Sequence, residues 1–262
     1  IQMRNLKRTL SLALASVMLV GMMSVGASAV NASDFTDADE IVNKDAVSTM
    51  TALGIINGKE DGSYFDPTGT VTRAEMAKML CVAINGGVDP VLGVKDTPTF
   101  TDIKGTWAES YIEYCAANGI IAGRGNNKFD PTGTVSATEA AKMLLGVLGY
   151  NAEKSGLVGN DWAINTNVLA NQNGLYKNLA NLNANTLLTR DNAAQMIYNA
   201  LDANMVELNA AGNYTTSQYS YTGTESVVTG TERVWVVKIK DSSVNDAVKA
   251  LDGSVYNSRQ DA

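Results

Sequence analysis

The chain has 262 residues, 45% of them apolar and 18% charged, with a net charge of −7, four prolines and no histidine. That is a globular composition with enough length for one large or two smaller domains. The missing histidine excludes Ser-His and Cys-His nucleophiles and imidazole-ligated zinc. Two cysteines are too few for a four-cysteine metal site or a disulfide scaffold, and an acidic chain is a poor generic binder of nucleic acid or anionic membrane.

Residues 1–29 are expected to be a secretory signal peptide. Arg4, Lys7 and Arg8 form a basic head, Leu10 to Val25 an apolar stretch, and Ala27-Ser28-Ala29 a small-x-small cleavage site. The apolar stretch is shorter than the roughly 20 residues of a spanning helix. Translation is expected to begin at Met3. Cleavage after Ala29 removes three cations and no acid, so the exported chain carries a charge of −10. No later stretch is long and apolar enough to enter a membrane.

The body repeats. Phe35-Thr36-Asp37 returns as Phe100-Thr101-Asp102, and Gly54-Ile55-Ile56 as Gly119-Ile120-Ile121. Phe65-Asp66-Pro67-Thr68-Gly69-Thr70-Val71 returns as Phe129-Asp130-Pro131-Thr132-Gly133-Thr134-Val135. A third, worn copy keeps Asp161-Trp162-Ala163, Asn173-Gly174-Leu175 and Leu188-Thr189-Arg190, lacks the Phe-x-Asp opening and has a loop two residues shorter. The copies span 35–86, 100–149 and 158–203.

Each copy reads as helix, loop, helix. In the second copy, Thr106 with Glu109 offers a capping box for the first helix. Gly54, Gly119 and Gly174 stand where a left-handed C′ residue ends it. A loop of turn formers follows. The second helices begin behind Thr72, Ser136 and Thr189, the first two with Glu75 and Glu139 as capping boxes. One helical hairpin cannot bury its own apolar face, so the copies must pack on one another. The fold class is mainly α with a short β-rich tail. In that tail, residues 211–262, Val234 to Lys240 reads as a strand with Val227-Val228 as its hairpin partner. A further domain is expected beyond Ala262.

Phe-x-Asp, Trp, Gly-Ile-Ile-x-Gly, Phe-x-Pro and Val-Thr-Arg-Ala-Glu together resemble the S-layer homology domain, in three tandem copies over 35 to about 203. The resemblance implies a pseudo-threefold helical prism whose inter-repeat grooves bind peptidoglycan-linked secondary polysaccharide, often ending in a pyruvylated amino sugar. It implies a non-catalytic anchor of an exported protein at the cell wall, with self-association into a surface lattice as a further possible partner, and without cofactor, metal, nucleic acid or membrane insertion. The alternative is the anchor of a cell-surface enzyme whose catalytic domain lies outside this sequence. A third reading is an outer-membrane protein tethered to peptidoglycan.

Eight residues are candidates for ligand contact. Arg73 and Arg190 lie just inside a capped helix start, where a guanidinium beside free backbone N–H groups suits a carboxylate. The competing reading is a solvated charge or a partner for a nearby acid. The second copy has Ala137 in place of this arginine, so its motif is expected to be mainly structural. Trp107 and Trp162 stack on a sugar or fill core and groove wall. Asp37 and Asp102 cap local turns or hold a sugar hydroxyl. Gly58 and Gly123 are expected to adopt backbone conformations closed to other residues and to admit a ligand closely. Cys81 and Cys115, on apolar helix faces of different copies, read as buried free thiols, with a disulfide as the alternative. Asp61, Asp66 and Asp130 read as turn residues, because no EF-hand spacing surrounds them.

Overall fold

Paired stop and start signals set the helices. The computed structural model describes residues 30–179, 182, 185–216 and the strand residues 222–229, 232–239 and 255–256. The signal-peptide reading of 1–29 lies outside the described residues. The described helices are α1 (Lys44–Ala52), α2 (Arg73–Ile84), α3 (Glu109–Ala117), α4 (Ala137–Val147), α5 (Trp162–Gln172) and α6 (Arg190–Asp202). The protein is mainly helical, and among the described residues no helix is long and apolar enough to cross a membrane.

Helices α1, α3 and α5 end in the same way. Gly54, Gly119 and Gly174 have φ of 68°, 69° and 71°. The following N–H of Ile55, Ile120 and Leu175 returns to Met50, Cys115 and Ala170, each at 2.9 Å. Each glycine N–H bonds the carbonyl one residue later, completing a Schellman motif three times.

The second helices begin behind Thr72, Ser136 and Thr189, whose hydroxyls accept the N–H three residues on. Glu75 and Glu139 complete capping boxes in α2 and α4. The box expected at Thr106 does not form. Thr106 donates to the Ile103 carbonyl at 2.7 Å, and Glu109 accepts from the Gly105 N–H at 2.6 Å. The tight turn at Gly105 captures the glutamate, so α3 starts at Glu109 without a side-chain cap.

The copies interlock by exchanging partners. α2 packs on α3, and α4 on α5. The last helix, α6, returns to the first, α1. Between loops and helices the backbone closes a cycle of three hydrogen bonds. Val71 donates to Leu188 at 2.9 Å, Leu188 to Val135 at 2.8 Å and Val135 to Val71 at 2.9 Å. Val71, Val135 and Leu188 are fully buried. Phe65 and Phe129, also fully buried, fill the two loops that carry Phe-Asp-Pro. Burial of side chains this size contributes about 2–3 kcal/mol each.

After α6, β1 (Val206–Leu208) pairs antiparallel with β2 (Tyr214–Thr216), and the Val206 N–H bonds the Leu148 carbonyl at 2.8 Å. These elements belong to one unit with the helices. In the second unit, β3 (Thr222–Thr229) pairs antiparallel with β4 (Glu232–Ile239), and β4 with β5 (Val255–Tyr256).

Candidate ligand grooves

Two arginines carry the junctions between copies. Arg73 Nε donates to the Phe129 carbonyl at 2.7 Å and Nη2 to the Ala122 carbonyl at 2.7 Å. The guanidinium carbon sits 4.3 Å from the centre of the Phe129 ring. Arg190 repeats this contact on the first copy. Nε donates to Phe65 at 2.7 Å and Nη2 to Asn57 at 2.8 Å, with the guanidinium 5.1 Å from the Phe65 ring centre. The arginines are 3% and 6% exposed. Burial pulls both pKa values below the ordinary arginine value, opposed for Arg73 chiefly by Glu139 and for Arg190 by Glu75.

The free N–H groups expected beside them are occupied. Arg73 N–H bonds Gly133 O at 2.8 Å, and Ala74 N–H bonds Pro131 O at 3.0 Å. Arg190 N–H bonds Gly69 O at 2.8 Å, and Asp191 N–H bonds Pro67 O at 3.2 Å. The third amide of each helix goes to its capping hydroxyl. The Pro-x-Gly of one copy thus caps the second helix of the preceding copy. No anion site of the expected kind remains at these two helix starts, because neighbouring carbonyls have taken the donors.

Asp37 and Asp102 clamp their own loops. Asp37 accepts the N–H groups of Phe65 and Asp66 at 2.9 and 2.7 Å. Asp102 accepts those of Phe129 and Asp130, both at 2.8 Å. Burial raises the Asp102 pKa, but these two amides outweigh it and hold the carboxyl below its usual value. The partners lie 27 to 29 positions away, so each clamp fixes a loop rather than a local turn. Asp66 and Asp130 themselves have positive φ, 60° and 63°, and ion-pair with Lys59 and Arg124.

Gly58 and Gly123 lie outside the left-handed region, which corrects the expected reason for glycine there. The limit is space. A Cβ on Gly58 would lie 2.2 Å from the Gly62 carbonyl oxygen, and one on Gly123 would lie 2.7 Å from both the Lys128 oxygen and the Phe100 ring.

One groove of about 620 Å³ opens where α2 meets the second copy. Thr72 and Glu75 come from the start of α2. Asp102, Thr106 and Trp107 form the opposite wall, and Asp130, Pro131 and Thr132 the loop side. Trp107 is 60% exposed and packs at 6.3 Å from the Tyr111 ring, so it is groove wall rather than core. Trp162 is half-buried at the start of α5, with Lys142 Nζ 5.1 Å from its ring centre. Lys78 sits likewise 5.5 Å from the Tyr111 ring centre. Burial lowers the Lys142 pKa, with the Arg73 charge adding to it. The structure therefore brings Trp107 and Asp102 together at one groove, whose lining does not include Arg73, Trp162 or Arg190.

Sequence reasoning missed Arg124 and Glu139. Arg124 Nη2 holds Glu139 at 2.8 and 3.1 Å and the Thr134 carbonyl at 2.9 Å, and Nη1 holds Asp130 at 2.7 Å. Burial works against the Glu139 carboxylate, but the Ser136 amide, Arg124 and Arg73 bring its pKa down. The capping box accounts for only one of the two roles of Glu139. The available signal was Arg124 aligned with Lys59, the same charge at the same place in the first copy.

The S-layer homology domain family matches residues 34–77 and 99–141, the stretches that carry the two Phe-Asp-Pro loops. An S-layer protein of Bacillus licheniformis is 32% identical over 111 residues, 42% of this chain and 12% of the relative. A cell surface protein of Thermoanaerobacter kivui is 28% identical over 207 residues, 78% of this chain and 26% of the relative. An exoglucanase, XynX, of Acetivibrio thermocellus is 28% identical over 156 residues, 56% of this chain and 14% of the relative. The chain thus spans 12–26% of the length of these relatives. The two matched stretches and the S-layer and surface-protein relatives support an S-layer homology domain protein, built on a repeat.

Proposed function

We propose that residues 30–216 form a cell-wall anchor. Three copies, the third degenerate, pack as a pseudo-threefold prism and hold peptidoglycan-linked secondary polysaccharide in inter-repeat grooves. The cyclic hydrogen bonds of Val71, Leu188 and Val135 support the prism. The observation that carries the binding role is Trp107. A large aromatic face left 60% exposed on a groove wall, beside the hydroxyls of Thr72, Thr106 and Thr132, suits a sugar ring with its apolar face and polar edge. Among the other sequence candidates, Trp162 is the corresponding platform at the next junction. Arg73, Arg190, Asp37, Asp102, Gly58 and Gly123 act on ligand by shaping the grooves. The S-layer relatives support a role in a surface lattice at the exported face of the cell.

The test is co-sedimentation of residues 30–216 with purified wall sacculi before and after chemical removal of the secondary polymer. Binding should disappear with the polymer, and binding that persists on bare peptidoglycan overturns the polysaccharide reading. The exoglucanase relative favours a second reading, in which the same module anchors a surface enzyme. Lattice-type β repeats accompanying this module would favour the first reading, and a catalytic domain the second.

A further inference from the structure

Cys81 on α2 and Cys115 on α3 face each other across the junction of the first two copies. Their Sγ atoms are 3.4 Å apart, and the residues are 1% and 0% exposed. Each thiol also points at a carbonyl of the facing helix: Cys81 at Tyr111 O, 3.5 Å, and Cys115 at Ala77 O, 3.6 Å. Two sulfurs on different helices therefore share one buried site. Disulfide sulfurs are separated by about 2.0 Å, so closing this pair takes a movement of about 1.4 Å.

We propose that Cys81 and Cys115 are a disulfide site that covalently joins the first two copies across α2 and α3. The oxidant is an external disulfide, either a small molecule or a thiol–disulfide exchange protein. The Cys81 thiolate attacks one sulfur of that disulfide, forms a mixed disulfide and releases one thiolate. The Cys115 thiolate then attacks the Cys81 sulfur and releases the second. Two electrons pass to the external disulfide, and the two protons lost by the cysteines end on the released thiols.

Burial sets the timing. In the packed helices the Cys115 pKa is pushed well up by its hydrogen bond to Cys81, by burial and by the Cys81 charge, so little thiolate is available there. The exchange belongs to the open chain, before α2 and α3 pack. Packing then shields the bond from reductants. The cysteines are 34 positions apart, and joining them constrains the unfolded chain.

The experiment refolds the fully reduced full chain in a glutathione redox buffer, unfolds it in denaturant with iodoacetamide, and weighs it intact. The expected product takes no alkyl group and is about 2 Da lighter than the reduced chain, as loss of two hydrogens requires. After reduction it takes two alkyl groups, one for each of the two cysteines. Its thermal midpoint should stand about 6 °C above that of the reduced chain. Two alkyl groups on the unreduced product, or glutathione held on each cysteine separately, overturn the proposal.

Discussion

The guanidinium of Arg73 lies 4.3 Å from the centre of the Phe129 ring while its Nε donates to the carbonyl of that same residue. One side chain thus reads both faces of the next copy's loop, its aromatic filler and its backbone. Arg190 does the same to Phe65. At the start of α4 both halves are absent: Ala137 stands where the arginine would, and residues 158–203 have no Phe-Asp-Pro loop to receive one. The donor fork and its acceptor loop are absent together, as expected if they serve each other. The bare junction still keeps its backbone bond, Ala137 N–H to Thr186 O at 3.1 Å.

Removing the fork should therefore cost stability before it costs binding. Arg73→Ala leaves the carbonyls of Phe129 and Ala122 without their donor in a buried place, a loss of about 3 kcal/mol. Arg73→Lys should recover little, since an ammonium cannot span two carbonyls as a planar fork does. Conversely, Ala137→Arg should destabilise by about 1–3 kcal/mol, because Ala137 is fully buried and overpacking costs that much. Urea unfolding followed by circular dichroism measures all three. A midpoint unmoved by Arg73→Ala would deny the fork any structural weight.

The pH response follows from the carboxylates. Asp102 and Glu139 have pKa values held below their usual ones. Their contribution is fully present above the unfolded values of about 4 to 4.5 and disappears as pH falls through the folded ones. Asp191 has the opposite sign. Burial raises its pKa despite the amide and side chain of Asn43, so its share is lost as pH rises through that raised value. Thermal midpoints should fall steeply below about pH 4, and Glu139→Gln should flatten part of that fall. An unchanged slope in the variant would locate the acid sensitivity elsewhere.

Much of the local structure was legible. Helix stops at Gly54, Gly119 and Gly174 and starts behind Thr72, Ser136 and Thr189 depend on residues within a few positions of each other. Partner choice depends on residues far apart and was not legible. That α1 packs on α6, or that Arg73 reaches Ala122, cannot be read from either segment alone. The box at Thr106 failed for a related reason, since Glu109 had a second donor in Gly105 with equal sequence claim. Gly58 and Gly123 were legible as required glycines. The cause, a carbonyl within contact of a missing Cβ, needed the folded loop.

The two loop glycines give a direct check on that cause. Gly58→Ala and Gly123→Ala force a Cβ against backbone or a buried ring and should cost about 1–3 kcal/mol. Gly93→Ala meets nothing within 4 Å and should stay within about 0.5 kcal/mol of the parent. Equal thermal midpoints for all three variants would remove the steric account.

Trp107 should behave in the opposite way to the arginines. Its side chain is mostly exposed, so Trp107→Ala should change the unfolding midpoint little. Sacculus binding should weaken about tenfold or more, the loss of a central aromatic contact. Trp107→Phe should keep part of the affinity by preserving an aromatic face. Full binding by the alanine variant would take Trp107 out of the ligand site.

Ring closure predicts that the two matched copies do not suffice alone. Residues 30–150 contain α1 to α4 but not α6, the helix on which α1 packs. Without it α1 loses the helix it packs on, and Asn43 loses the Asp191 carboxylate that accepts its amide at 3.1 Å and its side chain at 2.6 Å. The Val71 N–H also loses the Leu188 carbonyl. Uncovering two fully buried side chains of α1, such as Val47 and Met50, at about 2 kcal/mol each comes near the lower end of a typical domain's stability. Residues 30–216 should unfold in one cooperative urea transition, and residues 30–150 in a broad one or none. A sharp transition for the shorter chain, as a monomer by sedimentation, would show that the cycle is dispensable for folding.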